Sequence, residues 1–439
     1  MINTLGVRNP LLLIMSLFLL TSNQGRSEKR ASSAEPIATL SSERAQGAYD
    51  FVNSIGVNTH LNYFDRTYGN FQLVKRKLAS IGIRHVRDGV HLINADYNKA
   101  VYTRWSQLGD IGIGFDAVLD PRSALGPLTP DKLDQVDDLA NHTIESFEGP
   151  NELDISNIPN WPSVARDYQE DIYRSTKSMP SGKSVAVIGP SFAFASKGSS
   201  VGNISDRIDY GNLHPYPAAK MPSTVFPDQP LLAADVSGSK KIFITESGYH
   251  NALNDHSDQA AVSETSAAKY IPRLFLENFS RGIPRTYLYE LMDEAPDPGL
   301  TNFQMHWGLV RSDGSEKPAF AAVKNLISEL SDSAEPEHLQ QLTYSLDAEN
   351  AQIHHLLLQR SDGEFFLILW QEVQSYDYRK QQNIAVSSQP VTLTLDHYVR
   401  NINTYEPAVQ AQPLRVYAHA MRILLDVPDH PLVVQITPQ

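Results

Sequence analysis

Two glutamates, Glu152 and Glu246, each stand at the end of a short apolar run that is typical of a buried β-strand. A pair of carboxylates can break a glycosidic bond when one is protonated and donates to the departing oxygen while the other, ionised, attacks the anomeric carbon. The two pKa values must then differ, and an adjacent cation keeps the attacking carboxylate charged. Arg87 also ends an apolar run, and we predict that it is this cation.

The residues beside each glutamate matter, because a single glutamate at a strand end is more often a salt-bridged or solvated residue. Asn151 precedes Glu152, and an amide there can hydrogen-bond a substrate hydroxyl next to the reacting carbon. Glu148 is a rival acid, but strand alternation points it into the interior, where a structural, hydrogen-bonded carboxylate is expected. If the Glu152–Glu246 pair fails, Glu148 with Glu290 is the next pair to test.

From about residue 50, short apolar runs alternate with amphipathic stretches of helical length. The predicted strands are 55–61, 83–87, 111–119, 143–148, 184–189, 208–213, 241–246 and 284–290. The predicted helices lie near 70–80, 97–108, 131–141, 162–177, 228–236, 258–281 and 317–330. Strands alternating with helices indicate βαβ units and a parallel sheet, and eight units match a closed (β/α)8 TIM barrel of the α/β class.

A doubly wound open sheet is the alternative to a barrel. That fold usually has a glycine-rich phosphate-binding turn after its first strand, whereas His60-Leu61-Asn62-Tyr63 stands here. In a barrel, functional groups lie where the strands end. The fourth and seventh strands therefore bring Glu152 and Glu246 to one mouth.

After about residue 335 the helical spacing stops and strand patterns follow. The predicted strands are 352–359, 364–370, 391–395, 420–425 and 432–436, with a hairpin turn signal at Ser361-Asp362-Gly363. Strands alone over this length indicate a small β-sandwich. We therefore predict a catalytic barrel over 46–333 and a β-sandwich domain over 334–439.

The N-terminal segment has Arg8 followed by an apolar core over 11–20. A short apolar core behind a positive charge is typical of a secretory signal, and it is too short to span a bilayer comfortably. We predict a signal peptide over 1–25, a polar linker over 26–45, and a secreted or periplasmic protein. An uncleaved N-terminal anchor is the alternative.

The composition excludes several kinds of chemistry. The 439 residues include no cysteine, so disulfides, thiolate zinc sites and cysteine nucleophiles are excluded. The formal net charge of −13 argues against binding to nucleic acid or to an anionic membrane surface. We expect a carbohydrate partner, no cofactor, no metal, and a monomer.

The Asn151-Glu152 pair on the fourth strand and Glu246 on the seventh resemble the signature of clan A, the large clan of retaining (β/α)8 glycoside hydrolases with cellulase-like and xylosidase-like families. The resemblance implies that Glu152 is the acid/base and Glu246 the nucleophile. It also matches Arg87, and His214 and Tyr216 after the sixth strand. Family 39 is the most similar, because of the GIRHVRDGV second strand, the His-Pro-Tyr motif and the C-terminal sandwich.

The eighth strand departs from the clan, which often has a tryptophan there. This chain has Tyr289 at that position, and Trp307 lies in the loop behind it. Either ring could be a sugar platform, and either could be a core aromatic. His60, after the first strand, could bind sugar hydroxyls or only pack. Three further acids, Glu290, Asp293 and Glu294, could bind hydroxyls or solvate the rim.

Three other functions compete with this hypothesis. A metal-dependent hydrolase or lyase needs clustered ligands, but the first strand has no His-x-His motif, and His354 and His355 alternate across a strand. A non-catalytic carbohydrate-binding barrel would be expected to have lost a glutamate, and both are present. A transglycosylase would use the same two glutamates, and the sugar and linkage stay open at this stage.

Overall fold

The computed structural model describes residues 39–122, 129–348 and 352–439, so the predicted signal peptide lies outside the described residues. Eight parallel strands pair in chain order. They are Ile55–Asn58, His85–Gly89, Gly114–Val118, Ile144–Glu148, Ala186–Ile188, Gly211–Leu213, Ile242–Ser247 and Thr286–Leu288. A parallel bridge between Ile188 and Tyr210 joins the fifth strand to the sixth and closes the sheet. The (β/α)8 prediction is confirmed.

Helices surround the barrel, and the first of them precedes the first strand. Their bounds are Ala48–Asn53, Phe71–Ile81, Ala95–Gly109, Leu133–Leu139, Trp161–Ser178, Gln229–Ser237, Glu264–Ser280 and Pro318–Leu330. Phe71–Ile81 illustrates why they form where they do. The side chain of Asn70 accepts from Leu73 N at its start, Val74 and Leu78 are buried four residues apart, and Gly82 ends it with φ 84°.

Alternation along each barrel strand separates the polar interior from the apolar layer beneath the helices. On the second strand Val86 joins the apolar cluster under the helices. The next residue, Arg87, contacts Glu148 of the fourth strand in the interior. Phe147, beside Glu148, belongs to the same apolar cluster as Val86. The period of two therefore sends the charged residues of both strands into one space.

The C-terminal part contributes most of the strands of a second eight-stranded sheet. Tyr376–Asp377 and Gln382–Asn383 form a separate two-stranded hairpin. The main strands of the eight-stranded sheet are Gln341–Ala348, Ile353–Gln359, Phe365–Gln371, Gln389–Tyr405, Arg415–Val427 and Leu432–Thr437. The pairing of Gln389–Tyr405 with Arg415–Val427 shifts register between Thr394 and Val399. Strands from both halves of the sheet contribute to one apolar core. The part of the chain predicted as a β-sandwich over 334–439 is thus β-rich, with its main strands in one eight-stranded sheet.

Two N-terminal strands complete this second sheet and differ from the predicted linker over 26–45. Ser41–Arg44 pairs antiparallel with Gln341–Ala348, and Gln46–Gly47 pairs parallel with Ile353–Gln359. The Ser-Ser-Glu-Arg stretch is polar and mostly exposed, because an edge strand needs only backbone hydrogen bonds to join a sheet. Composition alone therefore suggested a linker.

The strand Phe365–Gln371 lies between the barrel and the core of the second sheet, and all of its residues are buried. Leu367 faces the core of the second sheet, whereas Phe366 and Trp370 belong to the apolar cluster of the barrel. Trp370 Nε1 donates to Glu277 on the helix Glu264–Ser280 over 2.8 Å. Among the described residues, no helix has the length and apolar character needed to cross a bilayer.

Candidate active site

Glu246 lies in the seventh strand with both carboxylate oxygens engaged. Arg87 Nη1 donates to one oxygen over 2.6 Å, and the Tyr216 hydroxyl donates to the other over 2.7 Å. Burial alone would raise the pKa of this carboxyl, but the charges of His214 and Arg87 and the Tyr216 hydrogen bond lower it to about 2. Glu246 is therefore ionised at neutral pH.

Arg87 is the centre of the network at the mouth. Its Nε and Nη2 donate to the two oxygens of Glu148 over 2.8 and 2.7 Å. Its remaining contacts are Asn58 at 2.9 Å and Asn151 at 2.8 Å, besides Glu246. Glu148 is fully buried, so it is the structural carboxylate that strand alternation predicts.

Glu152 follows the fourth strand and lies beside Glu246. Its Oε1 is 2.8 Å from Nδ1 of His214. One oxygen of each glutamate and one nitrogen of His214 all lie within 4.8 Å of one another. Glu152 has a left-handed backbone with φ 50°, a conformation that non-glycine residues adopt rarely and often at functional sites. The fold thus brings the two predicted carboxylates together at one mouth.

His214 connects Glu152 to the barrel interior. Its Nε2 lies 2.9 Å from the hydroxyl of Thr245, on the strand that carries Glu246. Burial lowers the pKa of the imidazole, but Glu246 and Glu152 outweigh it and raise the pKa above its usual value. The side chain is fixed at both ring nitrogens and cannot turn without breaking a buried hydrogen bond.

A cleft of about 240 Å³ opens at this mouth, with Arg87, Asn151 and Glu246 in its lining. His60 and Tyr289 also line it, and their side chains meet at 3.1 Å. Burial lowers the pKa of His60 to about 4, so its ring is neutral and can donate or accept a hydrogen bond. Both residues can therefore contact a ligand in the cleft.

Trp307 has a different position from the one expected of a sugar platform. Only 4% of its surface is exposed, and its ring packs against those of Tyr216 and Tyr289, with centroids 5.0 and 6.0 Å away. The partly exposed Tyr289 is the aromatic residue that borders the cleft. Trp307 supports the two tyrosines and offers no open face.

The acids after the eighth strand are interior residues, not rim residues as one alternative had it. Glu290 accepts from the Tyr68 hydroxyl over 2.8 Å, and burial, followed by the charge of Glu294, raises its pKa well above the usual value. Asp293 pairs with Lys317 at 2.8 Å, and Arg66 pairs with Glu294. These contacts make the three acids part of the support beneath the cleft.

Two groups of side chains have donor atoms close enough for a metal ion. They are His60, Glu290 and Glu294, and Glu152, His214 and Glu246. In the second group Arg87 lies 2.6 Å from Glu246, and a fixed guanidinium there repels a cation. In the first group Arg66 already neutralises Glu294. A protein cation already pairs with one carboxylate of each group, which fits a carboxylate pair better than a metal centre.

Sequence reasoning did not single out Asn58, Asn212 or Thr245. Asn58 accepts from Arg87 and donates to Thr245 O over 3.0 Å. Asn212 accepts from the Thr245 hydroxyl over 2.7 Å. All three are buried polar residues within barrel strands, and a polar residue at an inward strand position is the signal that could have indicated them.

The fold and the mouth define a (β/α)8-barrel protein with a carboxylate pair, the class to which barrel glycoside hydrolases belong. No protein-family model and no curated protein sequence matches the chain. Solved structures do match. A family 39 glycoside hydrolase from the gut symbiont Bacteroides cellulosilyticus WH2 has a TM-score of 0.61 at 15% identity, covering 90% of this chain and 83% of that one.

Two further structures give the same result. A monomeric β-xylosidase from Caulobacter crescentus CB15 has a TM-score of 0.60 at 12% identity, covering 90% of this chain and 98% of that chain. A GH39 enzyme from Xanthomonas axonopodis pv. citri has a TM-score of 0.59 at 14% identity, covering 90% and 96%. At such identities the similarity establishes the fold alone. The chain has the fold of family 39 glycoside hydrolases, and the resemblance predicted from its motifs is confirmed at this level.

Proposed function

We propose that this protein is a retaining glycoside hydrolase that cleaves O-glycosidic bonds of an oligo- or polysaccharide, with Glu246 as nucleophile and Glu152 as acid/base. The proposal rests on one observation: Arg87 and Tyr216 hold Glu246 ionised while an oxygen of Glu152 lies within 4.8 Å of it. Retaining enzymes have carboxyl groups about 5–5.5 Å apart, whereas inverting enzymes need roughly 6.5–9.5 Å to admit a water. The short separation supports retention.

In the first step, a carboxylate oxygen of Glu246 forms a bond to the anomeric carbon. The bond from that carbon to the leaving oxygen breaks, its electron pair goes to the oxygen, and Glu152 gives that oxygen its proton. Arg87 and Tyr216 orient the attacking carboxylate. Asn151, held by Arg87, is the amide that we assign to the hydroxyl beside the reacting carbon.

In the second step, Glu152 takes a proton from water while the water oxygen attacks the same carbon. The bond to Glu246 breaks and its electron pair returns to the carboxylate. Two inversions give net retention. A transglycosylase would differ only in the acceptor, because a sugar hydroxyl would replace water.

Two variants test the assignment by the stereochemistry of rescued products. In Glu246→Ala azide can enter only opposite the leaving group, so the glycosyl azide should be inverted. In Glu152→Ala activated aryl glycosides should still release their leaving group, and azide should give the retained product. Glu152→Ala should lose about 10²-fold or more on unactivated substrates, as expected when general acid catalysis is removed. Glu246→Ala should lose the covalent step itself.

Glu335, in the exposed segment before the second sheet, offers a matched control. Glu335→Gln should keep the wild-type rate. Product analysis on a panel of polysaccharides and aryl glycosides would separate hydrolysis from transfer and identify the sugar. Wild-type activity of Glu152→Ala on a natural polysaccharide would refute the two-glutamate mechanism.

The proposal also includes the location and the oligomeric state of the protein. The N-terminal apolar segment supports secretion to the periplasm or the medium. We propose a monomer acting on carbohydrate without a cofactor. Fractionation of cells and light scattering of the purified protein would test both points.

A further inference from the structure

A chain of hydrogen bonds runs from His214 away from the cleft. It passes through the hydroxyl of Thr245 and the amide of Asn212 and ends at the backbone carbonyl of Gly189. Thr245 and Asn212 are buried, and neither lines the cleft. These two residues therefore reach the reacting groups through His214, and Thr245 also through its contact with Glu148.

The direction of each proton in this chain is fixed by the groups at its far end. Asn212 Nδ2 donates to Gly189 O over 3.1 Å, so Oδ1 faces Thr245 and can only accept. The Thr245 hydroxyl donates its single proton to Oδ1 at 2.7 Å, and its other neighbour, Glu148 Oε1 at 3.2 Å, is also an acceptor. Only lone pairs remain for His214 Nε2, so Nε2 carries a hydrogen.

The tautomer has a consequence at the other ring nitrogen. With hydrogen on Nε2, neutral His214 presents a lone pair at Nδ1, 2.8 Å from Glu152 Oε1. A contact of that length between two such atoms requires one proton, on Glu152 or on Nδ1. Glu152 and His214 therefore hold that proton in common.

Other charges also face this pair. Glu246 Oε2 lies 3.7 Å from Nδ1. The Arg87 guanidinium and the Glu148 carboxylate lie behind, and the Tyr216 hydroxyl is already donated to Glu246. Glu246 favours a protonated imidazole, whereas burial and Arg87 oppose it. Neither nearby oxygen of Glu246 or Tyr216 offers Nδ1 a proton.

We propose that Thr245 and Asn212 are positioning residues that fix the Nε2–H tautomer of His214 and so keep the proton of the acid/base on the Glu152–His214 pair. This inference rests on the proposed function, since it assigns the hydrogen-bonded chain to the acid/base step. In the opposite tautomer, a neutral ring would donate from Nδ1 to the Glu152 carboxylate. That bond would stabilise the carboxylate and leave Glu152 without a proton to give to the leaving oxygen.

The fixed tautomer serves both steps. When Glu152 gives its proton to the leaving oxygen, the new carboxylate faces the lone pair of Nδ1 and gains no hydrogen bond from it. The carboxylate is then basic enough to take a proton from the attacking water. Acid strength and base strength are set by the same buried contact.

Thr245→Val tests the inference because valine has nearly the shape of threonine but no hydroxyl. We expect the alkaline limb of the pH profile of kcat/KM to move down by about one pH unit, since the Nδ1–H tautomer becomes accessible. Substrates with activated leaving groups, which need little proton donation, should show a much smaller loss. Thr245→Ser should restore the wild-type limb.

Ser247 provides a matched control on the same strand. Its buried hydroxyl donates to Pro215 O over 2.7 Å and takes no part in the chain of hydrogen bonds that starts at His214. Ser247→Ala should leave the alkaline limb in place, even if the melting temperature falls. An equal shift in Ser247→Ala and Thr245→Val would overturn the inference, because the effect would then be general loosening of the strand.

A direct measurement does not depend on activity. Nitrogen-15 NMR of histidine-labelled protein, at a pH where His214 is neutral, should show hydrogen on Nε2 and none on Nδ1. The signals of His214 are those lost in His214→Asn. A neutral wild-type ring with hydrogen on Nδ1 and none on Nε2, or a Thr245→Val ring and pH profile identical to wild type, would overturn the inference. An inactive wild type would refute the proposed function alone, and the ring signals would still report the tautomer.

Discussion

Arg87 serves two carboxylates with one guanidinium. Its Nε and Nη2 form a fork on Glu148, and its Nη1 reaches Glu246. The fork fixes the plane of the guanidinium, so Nη1 already points at the mouth and can contact Glu246 without a rearrangement of the side chain. Glu148 is thus the reason that Arg87 is rigid, and Arg87 is the reason that Glu246 is charged.

Substitution of Arg87 should affect both activity and stability. Arg87→Met should lower kcat/KM by about 10²–10³-fold, as for loss of one preorganised donor. It should also lower the free energy of unfolding by about 3–5 kcal/mol, because Glu148 stays buried without its cation. Arg87 therefore contributes to the stability of the fold as well as to the charge of Glu246. Steady-state kinetics and urea unfolding measure the two effects.

A double variant separates the two effects of Arg87. In Arg87→Met with Glu148→Gln the fully buried Glu148 position no longer carries an unpaired charge, so much of the unfolding free energy should return. The activity should stay low, since Glu246 still lacks its cation. Arg87→Lys should not restore activity, because an ammonium cannot form the fork. Recovery of activity in the double variant would contradict the assignment of Arg87 to Glu246.

Tyr216→Phe tests the low pKa of Glu246 with a smaller change. The pKa of this carboxyl is depressed to about 2, so its ionised form contributes stability above the unfolded pKa of about 4.3, and this contribution is lost as the pH falls toward 2. Removing the Tyr216 donor raises the pKa. The acid limb of kcat/KM should therefore move up by about one to two pH units, as for loss of one hydrogen bond to a charge.

The expected shift depends on the hydroxyl alone. Tyr405, in the second sheet, has a hydroxyl that meets Gln435 at 3.0 Å, and Tyr405→Phe should leave the acid limb unchanged. Profiles measured from about pH 3 to pH 7 for the three proteins would decide the matter. A Tyr216→Phe profile that overlays the wild-type one would show that the Tyr216 hydrogen bond does not control Glu246.

At the level of single residues, the sequence indicated those that combine a charged residue type with a position at the end of a predicted barrel strand. Glu246 and Arg87 end apolar runs and have charges of opposite sign, so their meeting follows from the barrel. The relay through Thr245 and Asn212 could not be predicted, because it depends on which polar atoms face each other across neighbouring strands. A threonine in a strand pattern is usually there for its β-propensity.

At the level of elements, predicted barrel strands and observed ones agree because each barrel strand carries apolar residues for the layer beneath the helices and is bounded by polar loops. The strand Gln341–Ala348 was not predicted, since its Asp347 and Ser345 interrupt the apolar pattern. The short strand Ser41–Arg44 that pairs with it is polar. Ser41–Arg44 lies at the edge of the sheet, which explains its polar sequence, whereas Gln341–Ala348 pairs with a strand on each side.

The helix Glu264–Ser280 joins the barrel to the second sheet through one buried ion pair. Arg273 donates two hydrogen bonds to Glu372 at 2.9 and 2.6 Å, and it also contacts the carbonyls of Val373 and Asp429. Glu372 accepts in turn from Ser223 N, in the loop after the sixth strand. The pair thus ties the sheet to the loop that follows His214.

Arg273→Met should therefore destabilise the protein by about 3–5 kcal/mol, because Glu372 remains buried without its partner. Urea unfolding followed by circular dichroism would measure the change. Arg174, which pairs with Glu170 on an exposed helix face, is the control, and Arg174→Met should change stability by less than about 1 kcal/mol. Equal effects of the two substitutions would mean that the buried pair has no special part in joining the sheet to the barrel.

At the level of the whole molecule, two separate segments of the chain contribute strands to the second sheet. Ser41–Arg44 enters it before the barrel begins, and the strands after Gln341 return to it after the barrel ends. The two termini of the barrel are therefore held by one sheet. Such an arrangement restrains both ends of the barrel and favours one cooperative unfolding unit.

Truncation after Ser333 is the corresponding test, and it should reduce stability far more than it alters chemistry. The barrel would lose its contact with seven buried apolar or aromatic side chains. They are Leu356, Leu358, Phe366, Ile368, Trp370, Tyr376 and Val433. Burial of each such side chain contributes about 1.5–3 kcal/mol, so together they are comparable with the whole net stability of a domain, about 5–15 kcal/mol. Ser41–Arg44 would also lose the strand with which it pairs.

We therefore expect the truncated protein to aggregate, or to melt well below the full chain in a thermal scan. Any soluble fraction should keep the contacts among Arg87, Glu152 and Glu246, because every residue of that group belongs to the barrel. Val416, 63% exposed in the second sheet, gives the control, since Val416→Ser removes an apolar side chain from that sheet without touching the barrel cluster. A truncated protein with the wild-type melting temperature would show that the barrel is stable without the second sheet.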